Sequence, residues 1–307
     1  MNSSFEPDEI VQLAKLLKIP EQFRTASDFV FTSVEALCLL LARFRSEDDT
    51  LLLSILYERE EAAIFQCVDE LCTFLDETWG HLLGFDKGKL LSREALARYA
   101  KSLQAAGYPM TTGWGFVDCF KLRVGNRLYY PNRYSSVVSK KVQCVVTPDG
   151  MIAHIYIAPH IMHQDPTILN DSTLIKACRK YARPPGATDD TPLLQRFFQL
   201  YGDEEYRDEL SPVLIVPYEG DNLDADQKEW NAAMESYRIE VERRFEAVVN
   251  TWPFLKVFWK FKGFPASIEL YFTVAVLLTN ARNCFHPSKT SRRLKCPPPP
   301  IRSYFYS

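Results

Sequence analysis

The chain has 307 residues, 47% hydrophobic and 13% aromatic, enough apolar material for one large core or two modest ones and too much for a disordered chain. Its longest apolar runs, such as 37–42 and 273–278, fall short of the roughly 20 residues of a membrane-spanning helix, and Met1-Asn2-Ser3-Ser4-Phe5-Glu6 lacks the basic start and apolar stretch of a secretory signal, so an intracellular protein without membrane association is expected. The net charge of −3 hides a segregation: 203–250 carries 14 acidic and 5 basic side chains, a balance of −9, whereas 251–307 carries 1 acidic and 9 basic, a balance of +8.

Residues 1–110 read as helical. Thr32 and Glu35 form a capping box ahead of 36–44, apolar residues recur at three- and four-residue spacing through 62–75, and Ser92 caps a helix over 93–106 that Gly107 ends. With 18 acidic and 11 basic residues up to Met110, a balance of −7, this region is a poor phosphate binder. It is read as a packing or dimerisation element, which makes a homo-oligomer an expectation, rather than as a helix-turn-helix DNA reader.

After Gly113 the pattern changes to short strand-like runs at 114–124, 127–130, 137–147 and 151–158, the last two joined by the turn Pro148-Asp149-Gly150. Hairpin-linked strands followed by a helix over 172–181 predict an α/β region with a mixed sheet. A breaker-rich loop at 184–192 precedes a strand at 197–201 and a short extended piece at 213–216. Trp230, Met234, Tyr237, Val241, Phe245 and Val248 then mark one face of a long helix over 224–249 that should cover the sheet. A last helix over 268–283 leads to a tail whose Pro297 to Pro300 run predicts an extended, loosely ordered end. The expected division is a helical region at 1–110, an α/β domain at 111–285 and a basic, proline-rich tail at 286–307.

Eight cysteines lie scattered with no Cys-x-x-Cys pair, which argues for reduced thiols rather than a zinc site or a disulfide framework. Lys121, Arg123, Arg127, Arg133, Lys140 and Lys141 fall in a stretch, 119–148, without a single acid, interleaved with Tyr129, Tyr130 and Tyr134. Cations that reach phosphates, with rings that stack on bases, suit a nucleic-acid track; a solvated hairpin is the plainer reading.

Four acids are placed to be displayed. Asp118 ends the apolar run 115–117, Asp165 follows the turn at 160–164, Asp203 closes the strand at 197–201, and Glu242 lies beside the apolar stripe of the long helix. Glu240 points about 200° away around that helix. Carboxylates are the ligands magnesium prefers, and two divalent ions can activate a nucleophile and stabilise a leaving oxygen in phosphodiester chemistry. Spacings of 47, 38 and 39 residues fit such a site but are weak by themselves in a chain with 39 acidic residues.

The local wording is sharper. Trp114-Gly115-Phe116-Val117-Asp118, then 145–154, then Leu200-Tyr201-Gly202-Asp203 with Tyr206, and Arg238-x-x-x-Glu242 with Phe245 occur in this order, followed by Leu277-Leu278-Thr279-Asn280. Together they resemble the PIF/Harbinger transposases, a branch of the DDE superfamily endonucleases, and especially its fungal members. The resemblance spans roughly 113–304. It implies a ribonuclease H-like mixed sheet flanked by helices, with Asp118, Asp165 and Glu242 as catalytic acids and Asp118, Asp165, Asp203 and Glu242 holding divalent metal, Mg2+ or Mn2+. It further implies a nuclear protein that cuts transposon ends and joins them to target DNA, guided by a separate Myb-like DNA-binding protein. Arg238 would face the same side as Glu242 and join Arg127, Arg133, Lys140 and Lys141 in binding DNA.

The chain also departs from that family. Cys119-Phe120 replaces the usual Gly-Thr after the first acid, Gln164-Asp165-Pro166 replaces His-Asp-Ser, and Ala247 stands where a lysine is usual. The alternative implied is a catalytically decayed or host-adopted copy that binds DNA or protein. A phosphoesterase acting on small substrates fits the basic stretches less well. Among single residues, His163 reads as a metal or phosphate ligand or simply as solvated, Asp149 as a turn residue, and Lys289, Arg292, Arg293 and Lys295 as a nuclear-import or DNA patch.

Overall fold

Side chains that satisfy the first backbone N–H groups start several of the helices. A computed structural model describes residues 4–47, 50–126, 137–159, 165–209, 211–258 and 268–306, with the backbone alone at 124–126, 137, 138, 194, 208, 209, 238 and 240–242. The first part contains α1 (Pro7–Leu16), β1 (Gln22–Arg24), β2 (Val30–Thr32), α2 (Ser33–Arg45), α3 (Thr50–Tyr57), α4 (Glu61–Trp79) and α5 (Arg93–Ala105). Thr32 accepts from the Glu35 N–H at 3.1 Å while Glu35 accepts from the Thr32 N–H at 3.4 Å, and Ser92 accepts from the Ala95 N–H at 3.2 Å. Gly107 ends the last of these helices with φ +88°, a conformation that favours glycine. The antiparallel pair β1 and β2 was not expected in a region read as helical, because three-residue strands leave almost no periodicity.

The second part contains β3 (Gly113–Asn126), β4 (Val137–Val146), β5 (Ile152–Ile157), α6 (Asp165–Asp171), α7 (Leu174–Tyr181), α8 (Leu193–Arg196), β6 (Gln199–Tyr201), β7 (Leu214–Ile215), α9 (Ala225–Thr251), α10 (Phe254–Val257) and α11 (Ile268–Phe285). Two short helices, α12 (Lys289–Arg293) and α13 (Ile301–Phe305), follow. The sheet order is β5-β4-β3-β6-β7. β3, β4 and β5 form an antiparallel meander, while β6 runs parallel to β3 and β7 parallel to β6. The protein therefore has a mixed α/β architecture with helices packed against a five-stranded sheet.

Strand alternation assigns the two faces. Phe116 and Phe120 of β3 stack on Tyr237 and Phe245 of α9, and Phe120 also meets Phe272 of α11, so even-numbered β3 residues face α9 and α11. Cys119 meets Tyr206, and Lys141, paired with Lys121 in the ladder, meets Asp165 of α6, so odd-numbered β3 residues face the other way. α9 starts where Asp224 accepts from the Gln227 N–H at 2.8 Å and Gln227 accepts from the Asp224 N–H at 3.1 Å.

The N-terminal helices share one core with the sheet-covering helices. Phe44 of α2 packs on Trp252, Phe254 and Tyr271, and the Tyr271 hydroxyl donates to Asp69 at 2.6 Å. The tail expected to be extended and loosely ordered is instead packed. Ile301, Tyr304 and Phe305 are buried, Phe305 lies edge-on to Trp79 at 5.0 Å, and the Tyr306 hydroxyl donates to the Leu16 carbonyl at 2.7 Å. The prolines prevent helix only up to Pro300; the aromatic residues beyond them gain more from burial than a loose end would. Asp149 is the turn residue expected, yet its carboxylate is fully buried and accepts from Tyr99 at 2.8 Å and Thr147 at 2.6 Å. Among the described residues no helix is long and apolar enough to cross a membrane, and all eight cysteines are free.

Candidate functional site

The site is built on the middle of β3. From Phe116 to Phe120 the strand advances about 13 Å. From Tyr237 to Phe245 the helix advances about 12 Å. The two elements run side by side in step, with stacked rings at 4.9 Å and 4.6 Å marking both ends of the contact. Asp118, midway between the two phenylalanines on the same side of the strand, therefore faces the turn of α9 around positions 241 and 242. Its carboxylate is part-buried and accepts from the Cys119 N–H at 2.7 Å.

β6 brings the second acid alongside. Tyr201 pairs with Phe116 in parallel register and its ring meets that of Phe116 edge-on at 6.2 Å. The Gly202 N–H still donates to the Ile215 carbonyl at 2.9 Å, and Asp203 follows as the chain leaves the sheet, in the row next to Asp118. Gly202 is required there: a Cβ would lie 2.8 Å from the Tyr206 ring and 3.3 Å from Val117. The absent side chain lets Tyr206 fold back over β3, where its hydroxyl donates to the Cys119 sulfur at 3.2 Å.

Asp165 belongs to the opposite face. It is the first residue of α6, buried, and forms an ion pair with Lys141, which also lies 3.7 Å from Glu205. A hydrogen bond with Asp165 and the charge of that carboxylate hold the Glu205 carboxyl above the usual range, with Lys141 opposing. Burial, reinforced by the charge of Asp165, pushes the Cys119 thiol far up, so it is a neutral packing group and not a nucleophile. The Tyr206 hydroxyl is raised mainly by burial and then by Cys119. For Lys141, burial alone would lower the ammonium, but the hydrogen bond and charge of Asp165 outweigh it and hold it above the ordinary lysine value.

The four expected acids thus divide. Asp118 lies on the α9 side of the sheet with the backbone of position 242, Asp165 pairs with Lys141 on the other face, and Asp203, two residues past β6, has Glu205 of the Lys141 cluster among its charged neighbours. The side chains of Glu242 and Arg238 lie outside the described residues, as do Arg127, Arg133, His163 and the turn at 160–164. Among the described residues no group of three or more His, Cys, Asp or Glu side chains is arranged to hold a metal ion. Lys140 and Lys141, expected to track DNA, are engaged otherwise: Lys140 pairs with Glu269 at the start of α11, and Lys141 with Asp165. Adjacent in sequence, they point to opposite faces and cannot form one basic stripe.

Sequence reasoning missed Lys141 as the partner of Asp165, Glu205 beside it, and Tyr206 over Cys119. Only the acidic run Asp203-Glu204-Glu205 hinted at the second of these. No curated protein and no solved structure matches the chain. A family model described as DDE superfamily endonuclease matches residues 117–280, which covers β3 from the residue before Asp118 through most of α11. The chain belongs to the family of DDE superfamily endonucleases.

Proposed function

We propose that the protein is a ribonuclease H-like transposase-derived DNA endonuclease and strand transferase of the PIF/Harbinger type, fungal branch, dependent on Mg2+ or Mn2+. The observation that supports this reading best is the register of β3 against α9 and β6, with Asp118 on the side of the sheet that carries position 242 and Asp203 following the strand paired beside it. An antiparallel three-strand meander extended by two parallel strands supports the ribonuclease H-like part.

Asp118, Asp203 and Glu242 would hold the ion: Asp118 and Asp203 are part-buried, and carboxylates supply the hard oxygen donors that magnesium takes. When bound, the ion supplies Lewis-acid activation of water and then of a 3′ hydroxyl. The protein's own contribution is positioning. The aromatic stacks on either side of Asp118 fix α9 against β3, and the Cys119 N–H orients the Asp118 carboxylate. Asp165, expected as a catalytic acid, is assigned here to a supporting ion pair that anchors α6 under β4. DNA is the proposed substrate, the nucleus the proposed location, and a Myb-like DNA-binding protein together with self-association the proposed partners; the acidic N-terminal region, itself ill-suited to phosphate, supports a separate DNA reader.

A catalytically decayed copy is the second reading. Cys119-Phe120 after the first acid and Ala247 after Glu242 favour it. Nicking of a supercoiled plasmid or a terminal-repeat duplex by the intact chain, with Mg2+ or Mn2+, separates the two. Asp118→Ala, Asp203→Ala and Glu242→Ala should each lower it about 10²-fold or more, above the roughly 10- to 100-fold typical of groups behind the ligands. Absence of metal-dependent nicking by the unaltered chain would overturn the enzyme reading.

A further inference from the structure

On the far side of α9 from the sheet's centre, a cleft of about 740 Å³ opens between α9, the end of α11 and the 286–293 segment. Arg243, Arg244, Arg282, Lys289, Arg292 and Arg293 line it, and among the described residues no aspartate or glutamate does. The cations come from three separate segments, so the fold itself gathers them. Arg244 forms the floor: it is 8% exposed, and its Nε and Nη2 find no hydrogen-bond partner among the described residues. A buried guanidinium with unmet donors is costly unless an anion completes it.

Part of the rim is already engaged. Arg293 donates to the Tyr108 hydroxyl at 2.9 Å, Arg282 donates through Nε to the Ser4 carbonyl at 3.1 Å, and His286 is turned to Glu9 at 2.9 Å. These contacts fix the walls. Lys289 and Arg292 form no ion pair among the described residues, and both are exposed at the cleft mouth. Ser288, which also lines the cleft, caps α12 by accepting from the Ser291 N–H at 3.2 Å, so the 286–293 wall has a defined shape.

We propose that this cleft binds a compact anion carrying several phosphates, with Arg244 donating to a phosphate at the floor and Lys289 and Arg292 closing on others at the mouth. A concave bowl of this volume with its deepest donor nine-tenths buried suits a small polyphosphate that enters whole. A DNA duplex presents its phosphates on a convex ridge, which meets the rim cations and leaves Arg244 unsatisfied. None of the described residues that line the cleft is among those proposed to hold the ion, and Arg243 follows Glu242 directly on α9.

Isothermal titration and thermal denaturation of the full chain with tripolyphosphate and with inositol hexakisphosphate test the proposal. One of the two should bind saturably at one site and raise the melting temperature, as any ligand selective for the folded state must. Arg244→Gln should weaken binding about tenfold or more, the scale of a hydrogen bond to a charged group. Should Arg244→Gln fail to fold, the exposed double variant Lys289→Gln and Arg292→Gln should still weaken binding severalfold. The proposal is overturned by absence of binding, or by binding that both folded variants leave unchanged. It is equally overturned if duplex DNA depends on Arg244 and neither polyphosphate displaces it.

Discussion

The two faces of the central sheet treat their acids differently. On the α9 side, Asp118 stands between two phenylalanines, each stacked on an aromatic ring of the helix, so packing fixes where the carboxylate points. On the other side, Asp165 is held by the ammonium of Lys141 and by a hydrogen bond with Glu205, so electrostatics fixes it. On the first face, apolar rings set the strand against the helix; on the second, a lysine ties the acid to the strand. The contrast arises from a one-residue difference in strand phase, since residues 118 and 119 of β3 face opposite ways.

The first way to break this comparison is to exchange the roles of the acids. If the faces are functionally distinct, Asp118→Ala abolishes metal-dependent nicking while Asp165→Asn leaves it within about tenfold, the lower range for a supporting group. Equal losses in a plasmid-nicking assay would put Asp165 back among the ligands. Next in size comes the packing that aims Asp118. Phe245 is buried against Phe120, and Phe245→Ala should cost about 3–5 kcal/mol, read as a lower urea midpoint with little change in slope.

His154 tests the second face. It shares that face through its pairing with Val145, and burial depresses its imidazole from 6.5 to about 4. The unfolded chain therefore takes up the proton first, so the contribution is complete above pH 6.5 and is lost as the pH falls toward 4. The loss should approach about 3 kcal/mol, and His154→Gln should flatten that part of the stability profile relative to the unaltered chain. Urea denaturation at pH 7 and pH 4.5 measures it; parallel profiles for both proteins would refute it.

Lys141→Met, which leaves the Asp165 carboxylate buried without its cation, should destabilise by about 2 kcal/mol. That is below the roughly 3–5 kcal/mol of a fully buried pair, because the ammonium is about one-fifth exposed. The smallest expected effect is at the start of α9. Asp224→Ala removes half of the capping box and should cost about 1 kcal/mol without altering the ratio of Asp118→Ala to Asp165→Asn activities.

Local chemistry made much of the molecule legible. Caps at Thr32, Ser92 and Asp224, the turn at Pro148-Asp149-Gly150 and the stripe from Trp230 to Val248 depend on neighbours a few residues away, and the helices and strands they mark are present. Asp118 and Asp203 were read as polar ends of apolar strand-like runs, and in the fold Asp118 lies within β3 and Asp203 two residues past β6. Local patterns did not reach the partners a residue meets across the sheet, such as Lys141 for Asp165 and Glu269 for Lys140.

Sequence by itself determined the longer helices and strands, the mixed sheet and the family wording around β3, β6 and α9, because periodicity, capping and short motifs act over one or two turns. Only the tertiary structure decided that Lys141 pairs with Asp165, that the proline-rich tail packs under Trp79, and that five further cations from three segments gather around a buried Arg244. Those outcomes join residues far apart in the chain, and their partners are chosen by sheet register and helix packing rather than by any local pattern.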